Sequence, residues 1–449
     1  MGIYEVTDVT LADLPDELVG FNVELPRTGS KGNVYVLHIT GWIVGKSSRA
    51  VAIEVLYHNR LLRTVDVRGP RPDVAAAFPS VGEHDPCAFH ALVGLLGLKV
   101  DCDLRLRAIM EDGTRVPLAE IALQREPLRT DYEPVVQPLM LTCLGRTGTT
   151  WLMKMFTSHP QILVFRRFPY ESANAKYWMH MLRVLSEPAD LAQSAEPDGF
   201  HNVLHWVGQN PFHNDTVYEQ PALANWFART YVEQTATFVQ RTIDDWYITL
   251  ARNQNQHEPV YFAEKHMWPN FIPVLAWELY PKAKEVFLVR DFRDMAASIL
   301  DFDRKRGYPG FGRPDGKTDE DYIREEMRAM TGDLKRSWET RGERAHLVRY
   351  EDMVYRPVET LTAMLEYLEI DASLPTVETL LERAAEEVPE LPGTSKDPYL
   401  VRVHRTSPDP KASIGRWQRE SDDSLEELYW EVFGEALEGF GYSRSGYSP

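Results

Sequence analysis

Two apolar runs constrain this chain more than any other feature, because each breaks into basic and hydroxyl residues and then into a helix-like stretch. The first is PLMLTCLGRTGTTWLMKMF, residues 138–156, and the second is KEVFLVRDFRDMAASIL, residues 284–300. A short, uninterrupted apolar run reads as a strand buried on both faces, as in parallel sheets. A helix that follows at once turns its free N–H groups and the positive end of its dipole toward the end of the strand. Open α/β sheets bind anions at such junctions. Two of them in one domain predict a ligand with two separate anionic groups.

In the first junction, Gly145 and Gly148 enclose Arg146 and Thr147, and Thr149, Thr150 and Trp151 begin the helix. The glycines allow a tight turn and close approach of a ligand to the backbone. Arg146 adds a forked donor set suited to phosphate or sulfate, and Thr149 and Thr150 add hydroxyl donors. The pattern is P-loop-like but has no Gly-Lys-Ser/Thr ending. It therefore lacks the lysine that reaches a γ-phosphate and the hydroxyl that holds Mg²⁺. A nucleoside triphosphate with magnesium is the weaker expectation, and no metal is required. The bland alternative for this loop taken alone is a strand–turn–helix joint with a polar turn. In the second junction, Arg290 ends the strand and Ser298 follows about two helical turns later, so a helix over residues 293–300 presents both on one side. Asp291, Arg293 and Asp294 read as a solvated, mutually paired face.

On these residues the chain resembles the sulfotransferases that use 3′-phosphoadenosine 5′-phosphosulfate (PAPS). GRTGTTWL looks like their 5′-phosphosulfate loop, and LVRDFRDMAAS like the motif in which an Arg and a Ser hold the 3′-phosphate. VRYEDMVYRPVETLTAMLEYLEI, residues 348–370, resembles the stretch whose Tyr, here Tyr350, lies near the adenine. KASIGRWQRE, residues 411–420, resembles the loop that closes over the nucleotide, beginning at Lys411. Each motif alone is weak, whereas the ordered set is specific. Arg146 stands where the cytosolic small-molecule enzymes usually have Lys, which is more like the carbohydrate, tyrosylprotein and bacterial members. The resemblance implies PAPS as co-substrate, held by Arg146, Thr147, Gly148, Thr149, Thr150, Trp151, Arg290, Ser298, Tyr350 and Lys411. It implies a hydroxyl acceptor, read here as a carbohydrate or glycolipid.

Sulfuryl transfer needs in-line attack, neutralisation of building charge and removal of the acceptor's proton. Arg146 serves the leaving phosphate, and Lys265 in YFAEKHMWPNFIP is the candidate for the transferring group. Two bases compete. His266 sits near the placement of the histidine in a Lys-x-His-x-Pro motif, but Lys and His are adjacent here. Glu171 in FRRFPYES fits the placement of the glutamate in the glycan and tyrosylprotein enzymes, and it is favoured because Arg146 points to that branch. The plain alternatives are ion pairs, Glu171 with Arg166 or Arg167 and His266 with Glu264. The acceptor region should lie between the two junctions, with helices over Ser172–Leu185 and Ala222–Asn253. Trp178, Trp206, Trp226, Trp246, His201, His205 and His213 are in this region, and each is more often a core or surface residue than a substrate contact.

Residues 1–130 differ in character. They alternate in β fashion and are broken by turns such as His58-Asn59 and Asp112-Gly113. An all-β sandwich is expected, resembling an immunoglobulin-like module attached to bacterial transferases, and it should be dispensable for chemistry. The expected domains are therefore 1–130 and 135–449, the second a P-loop-like, three-layer α/β domain with a mainly parallel sheet. The 449 residues carry a net charge of −18 without a dense basic patch, which excludes nucleic acid as the main partner. Cys87, Cys102 and Cys143 have no metal-like spacing. There is no apolar run long enough to span a membrane and no apolar leader, so a cytoplasmic protein is expected. Gly307–Lys317, rich in glycine, reads as a mobile lid beside the acceptor entrance. Two other classes remain at this stage: a nucleotide kinase with an atypical P-loop, and a glycan-binding protein with an inactive transferase domain.

Overall fold

The computed structural model describes residues 2–58, 60–187, 204–205, 208–209, 220–267, 272–386, 388, 395–399, 401 and 409–448. His201, Trp206 and His213 lie outside the described residues, as does the side chain of His205. The chain forms two compact units. One is Met1–Tyr132 with Lys176–Gln240, and the other is Glu133–Ala175 with Arg241–Pro449. The α-helical segment after residue 175 thus groups with the β-rich N-terminal residues, not with the junctions.

The N-terminal residues of the first unit form two antiparallel sheets. One has six strands in the order Lys31–Gly32, Tyr4–Leu11, Arg115–Arg125, Asp101–Met110, Ala50–Tyr57 and Arg60–Asp66. The other has three, in the order Leu18–Leu25, Val36–Gly45 and Ala88–Gly94. The alternation read from sequence is the cause: along Asp101–Met110, Cys102, Leu104, Leu106, Ala108 and Met110 are buried while Asp101, Asp103 and Arg105 are exposed. Gly113, at φ 88°, supplies the left-handed residue of the Asp112-Gly113 turn. The helical segment is tied in by polar contacts: Arg183 Nε donates to the Leu96 carbonyl at 2.9 Å, and Arg229 pairs with Glu126 at 2.7 Å.

The second unit is built on five parallel strands: β1 (Gln137–Cys143), β2 (Ile162–Leu163), β3 (Tyr261–Met267), β4 (Lys284–Val289) and β5 (Ala345–Arg349). Their order is β2-β3-β1-β4-β5, and every pair is parallel. All seven positions of β1 are buried, as its apolar run requires of a strand covered on both faces. The two helical layers divide the strand residues between them. Val286 and Leu288 of β4 join a core with Leu139, Leu141, Cys143, helix α1 (Thr149–Phe156) and helices α4 (Pro357–Tyr367) and α5 (Leu374–Ala385). Phe287 and Val289 join the opposite core with α2 (Phe292–Arg306) and α6 (Asp423–Gly439). Helix α3 (Tyr350–Tyr355) follows β5 directly. The result is a three-layer α/β domain.

This strand order fixes where a ligand can bind. From β1 the chain moves outward to the β2 edge, and from β4 it moves outward to β5 on the other side. The carboxyl ends of the adjacent strands β1 and β4 therefore form a topological switch point, where the connections diverge and leave a crevice. Both junctions singled out by sequence open into it. Among the described residues, no helix is long and apolar enough to cross a membrane, and no group of three or more His, Cys, Asp or Glu is arranged to hold a metal.

Candidate active site

The turn after β1 owes its shape to two left-handed residues. Arg146 has φ 66°, and Gly148, the N-cap of α1, has φ 94°. A Cβ on Gly148 would come within 2.5 Å of the Tyr350 ring, and one on Gly145 within 2.3 Å of the Phe311 ring. Both glycines are thus needed for close approach, and Gly148 also for its backbone angle. Thr147 is buried, and its hydroxyl donates to the Leu144 carbonyl at 3.0 Å, so its side chain braces the loop from inside. Thr149 opens α1 at the loop.

Arg146 and Arg290 converge on this turn from the two strands. Arg146 Nε donates to Ser298 Oγ at 3.2 Å, and its guanidinium lies 4.8 Å from the Phe302 ring centroid. Arg290 donates to the Arg146 carbonyl at 3.2 Å and to the Ser413 carbonyl, with its guanidinium 4.9 Å from the Tyr350 ring. Arg290 Nε is buried and has no hydrogen-bond partner among the described residues. Burial, and secondarily the Arg290 charge, lower the Arg146 pKa to about 10, which leaves it charged at neutral pH. Two cations held this close, one with an idle buried donor, form a site that an anion would stabilise.

The aromatic groups complete the crevice. The Trp151 and Tyr350 rings meet edge-on, 6.0 Å apart, and the Tyr350 hydroxyl lies 3.1 Å from Ser413 Oγ. Ser413 belongs to the Lys411–Trp417 segment, which therefore reaches Arg290 and Tyr350 together. The Lys411 ammonium itself is exposed and lies 5.9 Å from the Tyr355 ring.

Asp291, Arg293 and Asp294 are paired but not solvated, which corrects the sequence reading. All three are buried. Asp291 caps α2 and holds Arg293 with bonds of 2.9 and 2.7 Å, while Asp294 accepts the Gly415 and Trp417 amides at 2.8 and 3.0 Å. Arg293 in turn stacks on Trp417 at 3.8 Å. The C-terminal segment folds back over the start of α2, and no local signal in residues 291–294 discloses that cover.

The candidate catalytic groups separate cleanly. Lys265 Nζ donates to Thr150 Oγ1 at 3.2 Å, to the Pro169 carbonyl at 2.8 Å and to Glu171 Oε1 at 3.1 Å. Its register partner on β1 is Leu141, on the α1 face. Burial lowers the Lys265 pKa, and Glu171 opposes the shift. The Glu171 side chain is about half exposed, at 52%. His266 faces the other side of the sheet, with Nε2 3.9 Å from Glu264 Oε2. Neither expected partner of Glu171, Arg166 or Arg167, is its ion pair here; Lys265 is. Burial pushes the Cys143 thiol up to about 12, so it is a core residue.

Sequence reasoning missed Ser413 and Phe311, and it named Glu264 only as an ion-pair partner of His266. Phe311, in the glycine-rich Gly307–Lys317 segment, lies against Gly145, and its carbonyl accepts the Tyr322 hydroxyl at 2.8 Å. Glu264 accepts the Ala175 amide at 2.8 Å and the Tyr247 hydroxyl, and so fixes the end of the segment that carries Glu171.

The profile of the Sulfotransferase family matches residues 138–373, more than half of the chain. A search of curated proteins gave no match. Similar solved structures include mouse sulfotransferase SULT7A1 complexed with PAP, at 14% identity over 67% of this chain and 84% of that one, TM-score 0.37. The sulfotransferase domain from the curacin biosynthetic pathway is also 14% identical, over 68% of this chain and 98% of that one, TM-score 0.38. Sulfotransferase STF9 from Mycobacterium avium shares 14% over 70% and 79%, TM-score 0.35. With more than half of its length matched by the family profile, from the start of β1 to the beginning of α5, the chain belongs to the sulfotransferase family.

Proposed function

We propose that the protein transfers the sulfuryl group of PAPS to a hydroxyl of a carbohydrate or glycolipid. The observation that carries this reading is the meeting of Arg146, Arg290, Ser298 and Tyr350 at the switch point between β1 and β4. The residues fit the nucleotide. Arg290, with its buried idle Nε, and Ser298 are the partners for the 3′-phosphate. Arg146, the amides of Thr147, Gly148 and Thr149, and the Thr149 and Thr150 hydroxyls receive the 5′-phosphosulfate, aided by the α1 dipole. Trp151 and Tyr350 flank the adenine, and the segment from Lys411 closes over it.

In the transfer, the acceptor oxygen bonds to sulfur as the sulfur–phosphate oxygen bond breaks on the opposite side. Arg146 neutralises charge gathering on the departing phosphate. Lys265, held by Thr150, stabilises the sulfuryl oxygens. Glu171 accepts the proton of the acceptor hydroxyl, and its ion pair with Lys265 keeps base and electrophile stabiliser in one unit. Support for Glu171 over His266 comes from the shared α1 face of Lys265, Thr150 and Glu171. The three buried free cysteines suit a reducing compartment, the cytoplasm. Incubation with PAPS and a panel of glycans and glycolipids tests the reading. Acceptor-dependent release of PAP is expected, and release with simple phenols alone would overturn the carbohydrate assignment.

A further inference from the structure

Asp294 and Ser298 are four residues apart on α2 and share one face near its start, and Arg290 stands two residues before the helix begins. Arg290 and Ser298 face the anion site. Asp294 lies between them, fully buried, and the proposed anion chemistry makes no use of it. Each of its carboxylate oxygens takes one amide of the C-terminal segment: Oδ2 accepts Gly415 N at 2.8 Å and Oδ1 accepts Trp417 N at 3.0 Å. Two residues upstream of Gly415, Ser413 meets Arg290 through its carbonyl and Tyr350 through its hydroxyl. Downstream, Trp417 is clamped under Arg293, and Arg416 pairs with Asp301 of α2.

We infer that Asp294 is the positioning residue that sets the register of the Lys411–Trp417 segment over the nucleotide. The inference rests on the PAPS reading of the site and extends it. A carboxylate is required because two donors need two acceptors. An amide side chain offers one oxygen and presents an NH₂ group to the other donor. Gly415, at φ 64°, lets the chain turn so that both amides reach the same carboxylate, one on each side of Arg416. Without the anchor, the segment keeps its contacts with Arg290 and Tyr350 only in competition with other registers. The nucleotide then escapes faster, while the groups that perform the transfer stay in place.

The test compares wild type with Asp294→Asn, which preserves size. The inference predicts a rise of about tenfold in both the KM for PAPS and the PAP dissociation rate, with kcat changed less than about threefold. A purely structural role would lower the melting temperature and the active fraction at unchanged KM and dissociation rate, and that outcome overturns the inference. A second measurement needs no variant. Hydrogen exchange on the nucleotide-free wild type should show the Gly415 and Trp417 amides protected, and exchange at free-peptide rates overturns the anchor even if Asp294→Asn fails to fold. Lack of PAP binding by the wild type, with those amides protected, would instead overturn the nucleotide reading and leave the anchor standing.

Discussion

Lys265 and His266 are consecutive on β3 and point to opposite faces of the parallel sheet. Lys265 meets Thr150 and Glu171 on the α1 side, and His266 sits beside Glu264 on the other. Strand alternation makes this unavoidable. Loss of the base should therefore follow Glu171. Glu171→Gln should lower kcat by about 10²–10⁴ with little change in PAPS affinity, because the proton it takes belongs to the acceptor and not to the nucleotide. His266→Asn should leave most activity. Steady-state kinetics on both variants checks this, and the reverse ranking would move the proton to the histidine.

Nucleotide contact should be visible at Trp151. Its ring stands edge-on to Tyr350, at the proposed adenine position. Addition of PAP should quench tryptophan emission in the wild type and much less in Trp151→Phe. An unchanged quench in the variant would put the responding tryptophan elsewhere.

Stability should depend on pH through Glu351. Its carboxyl accepts the Asp291 amide at 3.0 Å and the Tyr442 hydroxyl at 2.6 Å, and burial raises its pKa from 4.5 to about 7. The folded value exceeds the unfolded one, so the folded state holds the proton more tightly. That stabilisation is complete below about pH 4.5 and is lost as pH rises through about 7. Glu351→Gln should flatten this part of the curve, removing a loss on the order of 3 kcal/mol between the two limits. Melting temperatures at about pH 5.5 and about pH 8 measure the difference, and parallel shifts in wild type and variant would contradict it.

Much of the site was legible because its signals are local. An apolar run followed by Gly-Arg-Thr-Gly-Thr-Thr specifies strand, turn and helix within a dozen residues, and the structure has them at Gln137–Cys143 and Thr149–Phe156. The helices expected over Ser172–Leu185 and Ala222–Asn253 are observed as Asn174–Leu185 and as Pro221–Trp226 continuing through a π turn to Asn253. What failed was long-range. Asp294 reads as a surface charge until Gly415 and Trp417 fold onto it from more than a hundred residues away. Composition marks Gly307–Lys317 as a loop, but only packing brings Phe311 against Gly145.

The grouping of Lys176–Gln240 with Met1–Tyr132 changes what truncation should do. A chain beginning at Asp131 would strip Arg183 of the Leu96 carbonyl and Arg229 of Glu126. It should fold less stably than the full chain, with residues 176–240 open to protease. Limited proteolysis of both forms checks this, and equal resistance would show that the segment stands without the β-rich residues.

Calorimetric titration with PAP and with ATP·Mg²⁺, on the wild type and on Arg290→Ala, reads the 3′-phosphate site itself. PAP should bind, and ATP·Mg²⁺ should bind far more weakly. Arg290→Ala should weaken PAP at least about tenfold, the worth of one charge-assisted contact of roughly 1.5–3 kcal/mol. Preference for ATP·Mg²⁺, or undiminished PAP affinity in Arg290→Ala, would contradict the PAPS reading of the site.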